Sequence, residues 1–226
     1  MNYKLEEADE DGYELTIFGV NNLKIEGLGN KPVEMITKPE YGNVLIFKDC
    51  ENITIENIEA GHGPKKGFCT GGVFYIADSK NFTIGKSVMY GSGIEGITAE
   101  NVIGLKCNNS IIRGCTYDIM TLNHSNDFEF NNCEFTDNVE FSLVNISNCN
   151  NITFNSCNFT NNKTGIENSE IFDYAVFNID QSTSINLKDC LIKDNVAYYF
   201  CNDKNSIELY NTKIENNTFT KGDFKE

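Results

Sequence analysis

A pattern of about a dozen residues recurs eight times along the chain. Each copy opens on Asn, Asp or Ser and continues apolar, any residue, apolar. The better copies then place Cys three residues on, an aliphatic residue or Phe two further, and Asn three further. The fullest copy is DFEFNNCEFTDN, Asp127 to Asn138. NITFNSCNFTNN (Asn151 to Asn162), SINLKDCLIKDN (Ser184 to Asn195) and SIELYNTKIENN (Ser206 to Asn217) match it, and weaker copies open at Asn22, Asn52, Asn81 and Asn109. A repeat of this kind builds a solenoid, in which each unit buries its apolar face against its neighbours.

A short apolar run precedes each copy, among them LTIFGV (15–20), VLIFK (44–48), GVFYIA (72–77), NVIGLK (101–106), SLVNIS (142–147) and AVFNID (175–180). Alternation within the strands is clear. Ile53, Ile55 and Ile58 are apolar while Thr54 and Glu56 are not, which sends one set inward and the other to solvent. Helical spacing is absent. Successive copies open 18 to 33 residues apart. An antiparallel meander turns every 8–12 residues and does not fit. A parallel coil does, with strand, polar corner, strand, polar corner and a third strand or loop per turn. The chain is therefore predicted to be all-β, a right-handed single-stranded parallel β-helix of about eight coils. It spans residues 15–217, with an acidic N-terminal segment at 1–14 and a tail at 218–226. At about 4.8 Å per coil the rod is about 35–40 Å long.

Such a coil places equivalent side chains in columns. Phe130, Phe154, Leu187 and Leu209 share one position, and Phe135, Phe159, Ile192 and Ile214 share another. Cys115, Cys133, Cys157 and Cys190 form a third column, read as small buried thiols rather than disulfides. None of the nine cysteines falls in a zinc-ligand spacing. Asn52, Asn81, Asn109 and Asn151 stack at the first corner and Asn138, Asn162, Asn195 and Asn217 at the second. Asn tolerates the left-handed turn conformation, and its amide donates to one neighbour while accepting from another.

At this point the chain resembles the right-handed parallel β-helix proteins, which include pectate lyases, polygalacturonases, phage tailspikes and the carbohydrate-binding/sugar-hydrolysis (CASH) repeat domains. The resemblance rests on the N-h-x-I…C-x-h-x-x-N coil and the Asn corners over residues 15–217. It implies a carbohydrate partner. Proteins of this fold usually cap the first coil with a helix; here coil one starts almost at once. An excised domain of a longer protein, a neighbouring domain on one end, or end-to-end pairing of two copies would each cover an exposed strand edge. Gly61-His62-Gly63 also resembles a polygalacturonase motif, but the Asn-Thr-Asp, Asp-Asp and Arg-Ile-Lys segments that accompany it are missing. No cluster of Asp calcium ligands beside an Arg is found, so Ca2+ has no motif behind it and no cofactor or metal ligand is assigned.

Bulk composition narrows the partners. The net charge is -15, from 18 basic and 33 acidic residues, which argues against nucleic acid. No stretch is long and apolar enough to span a membrane. No positively charged start followed by an apolar run marks a signal peptide, and the compartment stays unassigned. The dense early acid (Glu6, Glu7, Asp9, Glu10, Asp11, Glu14) reads as a solvated, poorly ordered terminus.

Four longer connections, 27–43, 60–72, 90–101 and 163–174, follow the repeat at the same point of the coil and should wall a groove along one edge. Loops on a rigid scaffold concentrate binding residues. The groove candidates for acid–base chemistry are His62, Glu95 and Asp118. The candidates for ligand contact are Lys65 and Lys66, the only adjacent basic pair, with Tyr90, Tyr117 and His124. Each has a plain structural role beside it: a tight Gly-rich turn for His62 and the lysines, a polar corner for His124, a solvated surface for Glu95. No complete catalytic motif is present, and the first reading is a non-catalytic module that binds a carbohydrate or another partner along the groove. The alternatives are a polysaccharide lyase, hydrolase or epimerase, and a purely structural segment of a larger protein. Asn151→Ala is expected to lower the melting temperature in a thermal scan, by the equivalent of about 1–3 kcal/mol, without changing any binding.

Overall fold

The alternating runs become strands in a computed structural model that describes residues 2–63, 70–91, 93–165 and 174–225. Three sheets wrap one continuous core. Sheet B runs from Asn21–Glu26 to Ile207–Tyr210, and sheet C from Val33–Thr37 to Lys213–Glu215; each holds eight strands, one per coil. Sheet A begins at the first coil with Gly12–Phe18 and includes Phe74–Ala77, Ile97–Glu100, Met120–Asn123, Val144–Ser147 and Val196–Cys201. Neighbouring coils pair in parallel throughout these sheets, and the chain is a right-handed parallel β-helix. Among the described residues no helix is long and apolar enough to cross a membrane.

The expected columns are in register. Phe130 pairs with Phe154, Phe154 with Leu187 and Leu187 with Leu209. Phe135, Phe159, Ile192 and Ile214 follow the same rule. The rings of Phe130 and Phe154 stack at 4.7 Å and those of Phe135 and Phe159 lie 4.6 Å apart. Each fully buried Phe contributes roughly 1.5–3 kcal/mol before entropy. The aromatic stacks lock the register, because a one-residue slip would turn every ring to solvent.

Three corners turn each coil, and many of them turn through a residue with positive φ. Asp49, Asp78, Asn101, His124, Asn148 and Gln181 do so at the first, with φ from 45° to 56°. Asn57, Lys86, Asn109, Asn132, Ser156, Asp189 and Asn211 do so at the second. Asp137, Asn161, Asp194 and Asn216 serve the third. This explains the abundance of Asn and Asp, the side chains that best tolerate that region.

At many corners the residue after the turn points inward and accepts from a backbone N–H on the neighbouring coil. At the third corner Asn138 N–H donates to Asn162 Oδ1, Asn162 N–H to Asn195 Oδ1, and Asn195 N–H to Asn217 Oδ1, at 2.9 to 3.0 Å. The amides also donate rung to rung over the same distances. Asn138, Asn162 and Asn195 are fully buried. At the first corner Ser and Cys do this work: Cys50 N–H donates to Ser79 Oγ, Val102 N–H to Ser125 Oγ, and Cys149 N–H to Ser182 Oγ.

Five sequence assignments are corrected by this geometry. Cys115 does not belong with Cys133, Cys157 and Cys190. Its N–H donates to Asn138 Oδ1 at 3.0 Å, so it heads the buried Asn ladder, while Ser110 precedes Cys133 in the thiol column. Asn109 turns the second corner; Gly104, with φ of 76°, takes the place expected for it. That Gly broke the repeat pattern and disguised NVIGLK, which is a sheet B strand. The sheet A strand of that coil is Ile97–Glu100, inside the segment read as loop 90–101. The acidic N-terminus is ordered: Tyr3–Asp9 pairs antiparallel with Gly12–Phe18 and closes the edge of sheet A. Finally, Thr218–Phe224 adds a parallel strand to Val196–Cys201, so the coil continues past residue 217.

All eight described cysteines are buried thiols without disulfides. At the open N-terminal end Tyr3, Leu5, Leu15, Ile17, Val20 and Leu23 line an apolar hollow of about 440 Å³. Asn151 stands on an outer turn, where its amide donates to Asp127 Oδ1 at 2.7 Å; the buried rungs lie elsewhere. Asn162→Ala is therefore expected to cost about 1–3 kcal/mol in urea unfolding, and more than Asn151→Ala. Equal or smaller loss at Asn162 would remove the buried ladder from the stabilising set.

Candidate functional site

Chain passing from sheet C back to sheet A crosses the third corner, and here the coils differ most in length. Backbone pairing aligns this edge. Ile97 pairs with Phe74 and with Met120, and Met120 with Val144. Counting back two residues puts Gly72, Glu95, Asp118 and Ser142 in one file. Counting back three puts Tyr117 and Phe141 in the next, and the Phe141 N–H donates to Tyr117 O.

Glu95 is 5% exposed, and its Oε1 accepts from Thr98 Oγ1 at 2.6 Å. Its Oε2 is buried without a partner, as are Asp118 Oδ1 and the Oγ1 of Thr116 and Thr164. Burial pushes the Glu95 carboxyl up to about 7, against the Thr98 and Thr121 hydroxyls that favour its charged form. Burial, then the charge of Glu95, pushes Asp118 up to about 8; Asn145 pulls the other way. The charge on one carboxyl disfavours ionisation of the other. Of the six buried side-chain polar atoms without a partner among the described residues, five lie on this edge: these four and His62 Nδ1. Buried polar groups are nearly always paired, so such a cluster marks a place built for something else.

His62 ends the sheet C strand Ile58–His62. Its Nε2 donates to Gly72 O at 3.0 Å, which fixes the tautomer and leaves Nδ1 as an acceptor. Burial pushes its pKa down, so it is held neutral. This bond ties the ring to Gly72, the member of the file one coil before Glu95. Gly72 has reason to be glycine: a Cβ there would stand 3.0 Å from Asn43 Oδ1 and 3.2 Å from Glu95 O.

Sheet A presents a polar row outward beside the carboxylates. Thr98, Thr121, Asn145 and Asn178 occupy successive coils at one position. Asn178 Nδ2 donates to Asn145 Oδ1 and Asn202 Nδ2 to Asn178 Oδ1, both at 2.9 Å. Since Thr98 of this row bonds Glu95, and Thr121 and Asn145 act on the ionisation of Glu95 and Asp118, the pair lies on the outer side of the sheet and not in the core. An aromatic strip borders this row. The Tyr117 and Phe141 rings lie 4.9 Å apart, Phe141 and Tyr174 5.4 Å, and Tyr174 stacks on Tyr198 at 6.5 Å. The Lys221 ammonium sits 4.2 Å from the Tyr198 ring centre. Burial raises the Tyr174 pKa first, with Tyr198 and Asp118 adding to it, which places Asp118 within electrostatic reach of the strip.

The structure thus brings Glu95, Asp118 and Tyr117 to one edge, with His62 bonded to Gly72 one coil before Glu95. Tyr90 is on sheet C. Its ring lies over Gly61 and beneath the Arg113 guanidinium at 5.0 Å, and Arg113 also pairs with Glu59 at 2.9 Å. His124 is a corner residue with φ of 49° at the far end of Met120–Asn123, about 20 Å along the strand from Asp118. Lys65 and Lys66 lie outside the described residues. Sequence reasoning passed over Thr98, Thr121, Asn145, Asn178, Phe141 and Tyr174. The signal for the first four was present: each is the polar residue between two apolar ones in its sheet A strand. Among the described residues no group of three or more His, Cys, Asp or Glu side chains is arranged to hold a metal ion.

No protein-family model and no curated protein matches the sequence. Among solved structures the chain is similar to the periplasmic alginate epimerase AlgG, at 12% identity and a TM-score of 0.58, covering 88% of this chain and 47% of that one. The A-module of the Azotobacter vinelandii mannuronan C-5 epimerase AlgE6 is matched at 11% identity and a TM-score of 0.43, over 93% of this chain and 76% of that one. The chain spans about half the length of the AlgG structure. At this identity the likeness to AlgG shows a shared β-helix fold.

The raised carboxyls carry a pH signature. A carboxyl whose folded pKa exceeds its unfolded value contributes most below the unfolded value and loses that contribution as pH rises through the folded one. For Glu95 the window runs from the ordinary value of 4.5 to about 7, and for Asp118 from 3.8 to about 8. Glu95→Gln should therefore raise the melting temperature at pH 8, by at least about 2 °C, and much less at pH 5. An equal effect at both values would show that Glu95 titrates normally.

Proposed function

We propose that this chain binds a carbohydrate along the sheet A edge, on the strip formed by Tyr117, Phe141, Tyr174 and Tyr198 and the polar row beside it. The observation that carries the reading is the pairing of an aromatic file with a row of hydroxyls and amides on successive coils. Sugar rings offer an apolar face for stacking and an edge of hydroxyls for hydrogen bonds. A strip repeating every ~4.8 Å favours an extended chain of sugar residues over one small molecule. Burial pushes both carboxyls up toward neutrality, which makes each a donor as well as an acceptor to hydroxyls. The β-helix fold shared with an alginate epimerase supports a carbohydrate as the ligand class.

Binding to a glycan array tests the class. Tyr174→Ala and Tyr117→Ala should each weaken binding to the best glycan by roughly 3- to 10-fold. Lys188→Ala, on the outer face of sheet B, should leave affinity unchanged. Binding that survives both tyrosine changes would move the site off this edge.

A further inference from the structure

We propose that two copies of this chain join at their N-terminal ends, through antiparallel pairing of Tyr3–Asp9 with its own copy about a two-fold axis at Leu5. That strand is the outermost of sheet A, and among the described residues it pairs only with Gly12–Phe18. Sheet A reaches one strand further than sheets B and C at this end. The strand can therefore meet a partner without those two sheets touching.

Its backbone is poised for such a partner. The Phe18 N–H donates to Asn2 O at 3.0 Å. Bonding alternates along an antiparallel pair, so Lys4, opposite Thr16, and Glu6, opposite Glu14, turn their N–H and C=O groups toward Gly12–Phe18. Those of Tyr3, Leu5 and Glu7 point to the open side. A row of unpaired backbone groups is a template for another strand.

Side chains choose the register and the occupant. Lys4 and Glu6 pair with one another on the outer face, where both are exposed. Tyr3 and Leu5 face the hollow at 50% and 60% exposed. Setting Leu5 opposite Leu5 of the second copy puts Lys4 opposite Glu6 on both sides of the axis and Tyr3 opposite Glu7. The hydrogen-bonded positions are then the three whose backbone groups are open. Moving the axis one residue toward the start sets Lys4 on Lys4, and one residue the other way sets Glu6 on Glu6. Opposite charges across a strand pair are favourable and like charges unfavourable. A strand that complements itself in both backbone and charge specifies its own copy.

The apolar end adds to this. The hollow of about 440 Å³ faces its counterpart across the axis, and an exposed apolar patch of this kind marks an interaction surface. Both copies use the same strand, so the contact closes at two. The aromatic strip at Tyr117 to Tyr198 lies several coils along the rod, and the pairing does not rest on the carbohydrate reading.

Sedimentation velocity of the whole chain over a dilution series tests the proposal. The wild-type chain should sediment as a dimer when concentrated and dissociate on dilution. Lys4→Glu and Glu6→Lys should each weaken the dimer by roughly 10-fold or more in dissociation constant, and the two changes together should restore it. Leu5→Cys should give a disulfide-linked dimer on mild oxidation, because hydrogen-bonded antiparallel partners hold their Cα atoms ~5.5 Å apart, within disulfide reach. Asp11→Cys, in the hairpin turn, should not. A chain that stays monomeric at every concentration would overturn the proposal. Dimers indifferent to both charge reversals and without the Leu5→Cys link would overturn the assignment to this strand. Loss in both single variants without rescue in the double would overturn the register, and larger assemblies would overturn the two-fold closure. Melting curves confirm that each variant is folded.

Discussion

Turning a β-strand through a corner takes a backbone N–H out of the ladder, and a buried N–H without an acceptor costs about 1–3 kcal/mol. This protein meets that cost with a side chain borrowed from the adjoining coil. Asn at the third corner and Ser or Cys at the first supply the acceptor. Everything else follows from the regularity this imposes. Once each corner is pinned to the next, the strands between them pair in register, and the Phe and Ile files stack without further instruction. Ser, Cys and Asn are interchangeable at the corners because each is small and offers an acceptor. That is why the thiols are free of disulfides yet recur at fixed places, and why Cys115 can stand at the head of a file of asparagines.

The third corner is also where the rule is relaxed. Coil length varies by insertion between sheets C and A, and buried polar atoms on this edge lack partners. Five of the six unpartnered buried atoms found among the described residues sit on this edge. A scaffold that satisfies its corner amides so completely elsewhere can hold a few costly groups in one place. The carboxyl pair is such a cost: at neutral pH its burial works against folding, and the ladders on either side compensate.

His62 illustrates how a motif can mislead. Gly61-His62-Gly63 drew attention as a fragment of a catalytic signature, but the ring is neutral and tied to the Gly72 carbonyl. Its role in the structure is to fasten one inserted segment against the next coil. Arg113 and Tyr90 likewise spend their chemistry on one another and on Glu59. Local sequence made these residues conspicuous; their partners, distant in sequence, decided what they do.

The sequence by itself determined the coil. Period-two alternation, a repeat longer than any hairpin, and Asn or Asp at each turn leave one economical solution, and the Phe130 and Phe135 files were legible from spacing alone. It also grouped His62, Glu95, Tyr117, Asp118 and His124 in one groove, of which His124 proved to be a corner residue at the other end of its strand. What it did not determine was register where the repeat is degenerate. Gly104 and Cys115 fall at positions whose consensus is Asn, and only pairing with the coils on either side revealed their true places. The acidic N-terminus was equally opaque, because the strand that Tyr3–Asp9 forms exists only through the partner strand it closes. The meeting of Glu95 with Asp118, the polar row from Thr98 to Asn178, and the stacking of Phe141 with Tyr174 were decided by tertiary structure alone. They depend on which residues of unequal loops come to lie one coil apart, and backbone pairing between coils fixes that where local preference cannot.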